Sequence, residues 1–431
     1  MSGKSSIDQI RASRTLPPTR LAGIDLNSGF MPVRRVFYFS GQPDVPRMQE
    51  SLTLALAHWP DFAGTVRMID GIPGLDRNDT GVRFTVVTTH DRLPDFGIDH
   101  PLSLPTSFCD EAIGQTVDDG GGVFTVKISV YNDNHWVMGT CNSHALCDGS
   151  GYWQFMQSWR DAFHDITLPT LEGNCCRYIA PHHADTGLPD NLQMPALPLL
   201  QQQIANMSHY RSRQLLLPQA TLEQLKNRIN ATLAPDWIST QDALMALLWQ
   251  SLAKVSLEHG APATDAFPLG NVINIRSRLG LENYIGNMVF SVCSQASLDT
   301  LISTPLPQLA LRLRQDSQQI DDAGVHNYLA FMQQQLDQGN VNKIGYFTRF
   351  SSTLAAACVH GKGIMINNWS KFPAYAMDFS GKPLWFDLAT IIPMHFAMTM
   401  PAHDGVVLRL FLPDDWLDEV IDLTRENLDL Q

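Results

Sequence analysis

Between Phe124 and Phe163 the hydrophobic period changes once, from two residues to three or four, and the change brackets a histidine. In Phe124-Thr125-Val126-Lys127-Ile128-Ser129-Val130 every second residue is apolar, the period of a half-buried strand. Tyr131-Asn132-Asp133-Asn134 supplies turn residues, and His135 to Cys141 reads as the returning strand of a hairpin. Beyond Gly149, the residues Tyr152, Phe155, Met156, Trp159 and Phe163 recur at spacings of three and four, the stripe of an amphipathic helix. His144, in Asn142-Ser143-His144-Ala145-Leu146-Cys147-Asp148-Gly149-Ser150, therefore falls between sheet and helix, where a rigid frame aims a side chain.

A chain of 431 residues with 44% hydrophobic content builds a large core and is expected to form two domains. Its formal charge of -13 argues against nucleic acid and against an anionic membrane as partners. The first residues, Met1-Ser2-Gly3-Lys4-Ser5-Ser6, have no apolar run, and no stretch of about 18 apolar residues occurs, so a cytoplasmic protein is expected. Seven scattered cysteines suit reduced thiols. Cys141, Cys147 and the Cys175-Cys176 pair raise a metal reading, but no Cys-x-x-Cys spacing anchors it, and no metal is expected.

Helices and strands mix in both halves. Met48, Leu52, Leu56 and Trp59 form one helical stripe, Leu222, Leu225 and Ile229 another, and Leu244, Leu247, Leu248 and Val255 a third behind a Ser239 cap with Asp242 three residues on. Strands are expected over Val82 to Thr88, Gly270 to Arg276, Met288 to Cys293, Lys362 to Asn368 and Val406 to Leu412. Leu168 to Leu200 is rich in proline and polar residues and reads as a crossover, with His182-His183 a loop feature. The expected division is residues 1–175, a linker over 176–206, and 207–431.

His144, Asp148 and Gly149 form a His-x-x-x-Asp-Gly element, and Asp378-Phe379-Ser380-Gly381-Lys382-Pro383 lies far downstream. Together they resemble the two motifs of the BAHD acyltransferases, relatives of chloramphenicol acetyltransferase and the condensation domains. Further segments are similar to that family: Gly23-Ile24-Asp25, Pro60-Asp61-Phe62-Ala63-Gly64, Asn274-Ile275-Arg276-Ser277-Arg278, Tyr284-Ile285-Gly286-Asn287 and Asn367-Asn368-Trp369. The resemblance covers nearly the whole chain. It implies an α/β fold of two chloramphenicol acetyltransferase-like domains, each a mixed sheet with flanking helices, and an active-site tunnel at their interface.

The resemblance also implies the chemistry: an acyl group passes from acyl-CoA, a co-substrate and not a tightly bound cofactor, to a hydroxyl or amine of a small metabolite. His144 is the expected general base, because an alcohol attacks well only if its proton leaves and an imidazole takes it near neutral pH. A route through Cys147 as nucleophile is the alternative chemistry. Asp148 is expected to hold the loop through an ion pair, Gly149 to let the backbone turn into the helix, and Asp378 to pair with Arg276 or, failing that, Arg278. The late motif is one residue shorter than the family's and lacks its tryptophan, so Trp369, Trp385, the Ser380 hydroxyl or a backbone N–H compete as oxyanion donor. Ser380, Gly381, Lys382 and Trp369 are candidates for substrate or coenzyme A contacts, and Lys371 and Lys382 for phosphates or plain surface positions. Two other readings stay open: a condensation-type enzyme fed by an acyl carrier protein, and a catalytically silent binding member.

Overall fold

The computed structural model describes residues 4–102, 107–111, 113–168, 178, 180, 192–193, 197–349 and 351–430. Most of the expected linker lies outside them, with Cys175-Cys176 and His182-His183. Two six-stranded mixed sheets dominate. The first runs in the order Lys4–Ile10, Val82–Thr88, Phe124–Val130, His135–Ser143, Pro32–Ser40 and Trp385–Leu388. The second runs Tyr210–Leu217, Val406–Pro413, Phe396–Pro401, Ile364–Asn368, Leu269–Asn274 and Val289–Ser294.

The hairpin forms as its alternation requires, with Phe124 opposite Asn142 and Val130 opposite Trp136. Helix α1, Val45–His58, and helix α2, Gly149–Phe163, cover one face of the first sheet. Tyr152, Phe155, Met156 and Trp159 of α2 are all buried, and the rings of Phe155 and Phe62 stack with centroids 3.8 Å apart. The second sheet packs on Thr240–Glu258, a helix apolar on most sides and therefore central, capped by Ser239 and Asp242 in a reciprocal box.

The strand expected over Gly270 to Arg276 stops at Asn274, whose Oδ1 accepts the Arg276 N–H at 3.0 Å and turns the chain into the short helix Arg276–Leu279. Pro32–Ser40 has no alternation to announce it, because Arg34 to Phe39 are buried on both faces. Trp385–Leu388, from the second half of the chain, forms the edge of the first sheet, with Leu388 opposite Arg35. The two halves are thus tied through a shared sheet as well as through side chains.

Candidate active site

His144 follows the last residue of the His135–Ser143 strand and precedes α2 by four residues. Its backbone is fixed from both sides: its N–H donates to the Met31 carbonyl at 2.9 Å, and its own carbonyl accepts from Asn287 Nδ2 at 2.8 Å. Asn287 is held in turn by Asp25, whose Oδ1 accepts the Asn287 N–H at 2.9 Å. Asp25 Oδ2 accepts the Ala22 N–H at 3.0 Å. A histidine of the first half is therefore positioned by the second half through one asparagine.

Burial pushes the His144 imidazole below its ordinary pKa, and the Arg35 guanidinium adds to the effect; the Asp148 carboxylate, the histidine's own carbonyl and Asn287 oppose it. The ring is neutral at physiological pH, the form that can take a proton. Nδ1 is enclosed and has no hydrogen-bond partner among the described residues.

Asp148 is buried and does two jobs. Its Oδ1 caps α2 by accepting the Gly151 N–H at 3.0 Å, and both oxygens receive Arg276, Nη2 to Oδ1 and Nη1 to Oδ2 at 2.8 Å each. Met288 N–H adds a bond of 2.9 Å to Oδ2. Arg276 is completed by the carbonyls of Tyr284, at 2.9 Å, and Gly286. Gly149 is demanded by space: a Cβ there would sit 2.8 Å from the Phe372 ring, and one at Gly151 would sit 1.9 Å from the Ile285 carbonyl oxygen.

The expected pairing of Arg276 with Asp378 is corrected by this geometry. Asp148 is the buried carboxylate within Arg276's reach, whereas Asp378 is half-buried and spends Oδ1 on the Gly381 N–H at 2.8 Å. Arg278 is not its partner either, since it donates to the Ile320 carbonyl at 2.9 Å and faces Asp322 at 3.7 Å. The late motif docks on the far end of α2, where Phe379 meets Trp159 and Phe163 with centroids 4.8 and 5.5 Å apart and His164 donates to the Asp378 carbonyl at 2.9 Å. Trp159 lies ten residues, about 15 Å, along α2 from Gly149. Ser380 accepts the Asp44 N–H at 3.1 Å at the start of α1, and Gly381 and Lys382 are exposed, so none of the three is brought to the imidazole. Lys371 is exposed as well. Trp385 pairs with Tyr38, six residues or about 20 Å along the strand from Pro32, the partner of Ser143.

Trp369 is the exception. It lies 3.7 Å from where a Gly149 Cβ would be, and the Arg35 guanidinium carbon lies over two rings, 3.7 Å from the Tyr152 centroid and 5.0 Å from that of Trp369. No motif in the sequence alone singles out Arg35, and Asp25 and Asn287 stand there only inside longer stretches. The available signal was the pair Arg34-Arg35 opening an otherwise apolar run.

The model of the family described as "Transferase family" matches residues 38–420. The chain belongs to the Transferase family. Its membership, spanning both motifs, makes it an acyltransferase of the BAHD type. Among curated members, anthranilate N-benzoyltransferase protein 1 of Dianthus caryophyllus is 23% identical over 374 residues, covering 83% of this chain and 79% of its own. A trichothecene 3-O-acetyltransferase of Saccharomyces cerevisiae is 28% identical over 200 residues, 42% of this chain and 38% of its own. Solved Transferase-family folds superpose throughout. The F. sporotrichioides TRI101 complex with coenzyme A and T-2 gives a TM-score of 0.71 at 15% identity, covering 95% of this chain and 97% of that one. Vinorine synthase gives 0.68 at 17% identity, covering 100% and 98%. In this member of the Transferase family, no helix among the described residues is long and apolar enough to cross a membrane.

Proposed function

We propose that His144 is the general base of an acyl transfer from acyl-CoA to a hydroxyl or amine of a small molecule, within a ternary complex. The observation that carries this reading is an enclosed imidazole whose backbone is fixed across the two halves of the chain, its carbonyl by Asn287 and its loop by the Asp148–Arg276 pair, with burial lowering the ring's pKa. The acceptor oxygen or nitrogen bonds to the thioester carbon while His144 removes its proton, and the carbonyl pair moves onto oxygen. When that pair returns, the carbon–sulfur bond breaks, and the departing thiolate takes the proton back from the imidazolium. A thiol of ordinary pKa, about 8.5, leaves readily, so no separate strong acid is needed. No nucleophile is consumed, and Cys147, buried beside Asn142, has no part in the scheme.

Both acceptor chemistries have precedent in the names of relatives, an N-benzoyltransferase and a 3-O-acetyltransferase, and coenzyme A is bound in the TRI101 complex. The five free thiols among the described residues, buried or half-buried, are compatible with work in the cytoplasm. Thiol release from a panel of acyl-CoA donors, with and without candidate acceptors, tests the reading against His144→Ala. Turnover that vanishes in the variant is expected; turnover indifferent to His144 would sink it, and turnover with acyl-loaded carrier protein alone would move the donor from coenzyme A to a carrier.

A further inference from the structure

Arg35 is only 1% exposed, yet among the described residues no carboxylate lies within 4.0 Å of it. Its guanidinium makes one hydrogen bond among those residues, from Nη1 to Asn142 Oδ1 at 2.6 Å, and Nε is enclosed without a partner there. The acids around it are committed elsewhere. Asp148 is saturated by Arg276 and two backbone N–H groups. Asp25 serves Asn287 and Ala22. Glu111 belongs to Arg34 at 2.6 Å, and Asp387 to Arg409, likewise at 2.6 Å. Arg34 and Asp387 project from the opposite face of the first sheet, because neighbours along a strand alternate.

Nor do the uncharged neighbours supply an anion. Burial pushes the Cys141 thiol up to about 12 and the Tyr152 phenol well above its ordinary range, so both remain protonated. The first turn of α2 adds the partial positive charge of a helix start. A guanidinium cannot shed its proton to escape the cost of burial, so Arg35 stays charged with no carboxylate within 4.0 Å among the described residues. Close by on the same face of the sheet, Phe37 meets Trp153 edge-on at 5.9 Å, and the Trp153 indole N–H is also enclosed without a partner. Trp369 comes from the second half, so the clamp on Arg35 is complete only when the site itself is assembled.

We infer that Arg35 is an anion-binding group of this site and takes a negatively charged oxygen, either a carboxylate carried by the acceptor or the oxyanion formed on the acyl carbonyl. The inference rests on the acyl-transfer reading for the second source but not for the first. Structural burial alone would favour an apolar side chain at this position, since two aromatic faces and one amide leave the guanidinium's charge unpaired. A preorganised cation facing transient or ligand charge accounts for a guanidinium at this position.

Benzoate, a small carboxylate, is the binding probe, titrated by calorimetry into wild type, Arg35→Met and Arg35→Lys. Thermal unfolding of each variant establishes that it is folded. If the acceptor carboxylate is the source, wild type binds benzoate and Arg35→Met weakens binding at least about tenfold; Arg35→Lys, which keeps the charge and loses the fork, gives the same direction should the methionine variant not fold. If the oxyanion is the source, benzoate does not bind, and kcat with neutral alcohol acceptors falls about 10²- to 10³-fold in both variants at unchanged KM for acyl-CoA. Folded variants with unchanged benzoate affinity and unchanged kcat overturn the inference, as does a wild type with neither benzoate binding nor turnover. A wild type that binds benzoate through Arg35 but transfers no acyl group refutes the acyl-transfer reading and leaves the anion site standing.

Discussion

Asp148 and Arg276 come from opposite halves of the chain and meet through two parallel hydrogen bonds of 2.8 Å, each side chain 3% exposed. The pair seals the start of α2 against the loop that carries Asn287. Asp148→Asn strands a buried guanidinium, and a loss of about 3–5 kcal/mol in urea unfolding is expected. In the double variant Asp148→Asn/Arg276→Met the loss is smaller than the sum of the single losses, because no charge is left unpaired. Strict additivity would contradict the direct pairing.

His144→Ala is expected to leave the fold intact and to lower kcat by about 10²- to 10⁴-fold. The base must be neutral to act, and its folded pKa lies below the ordinary 6.5. The acid limb of kcat/KM therefore falls below pH 6.5 in wild type. An acid limb above that value, measured with a donor that does not itself titrate, would contradict burial as the dominant influence on the ring.

Gly151 lets the first turn of α2 approach the second half closely. Gly151→Ala places a methyl 1.9 Å from the Ile285 carbonyl oxygen and 2.9 Å from the Cys147 Cβ, so backbone must shift. The expected cost is about 1–3 kcal/mol of stability, with kcat reduced because His144 and Asn287 separate. A variant that melts and turns over like wild type would show that the two halves are less tightly apposed.

His395 is fully buried, and burial, opposed only in part by the Gly363 backbone, lowers its pKa from 6.5 to about 4. The unfolded chain takes up a proton near pH 6.5, whereas the folded protein resists until about 4. Its contribution to stability is thus complete above pH 6.5 and is lost as pH falls toward 4, by about 3 kcal/mol. In His395→Leu this part of the acid sensitivity disappears, which urea unfolding at pH 7 and pH 5 detects as a smaller difference between the two conditions. An unchanged difference would place the proton uptake on other groups.

The hairpin, α2 and the Ser239 cap were legible because each is written in a local period or a local pair: Phe124 to Val130 by alternation, Tyr152 to Phe163 by helical spacing, Ser239 with Asp242 by the box. Pairing across the chain was not. Nothing local to Arg276 ranks Asp148 above Asp378, since the choice depends on which carboxylate the fold buries within reach. Arg35 reads as an ordinary charge at the start of a strand, and only the aromatic rings of Tyr152 and Trp369, brought from two distant segments, turn it into an enclosed cation. The late motif was legible as a motif but not in its place, because a six-residue loop does not disclose which helix end it will cap.

The edge strand Trp385–Leu388 sets a clock on biosynthesis. Leu388 must reach Arg35, 388 − 35 = 353 residues earlier, before the Pro32–Ser40 strand has a partner on its outer side. At about 5–20 residues per second, that edge waits roughly 20–70 s on the ribosome. A strand as apolar as Val36 to Phe39 is a template for misdirected pairing throughout that interval. The first sheet therefore cannot acquire its last strand until nearly the end of translation.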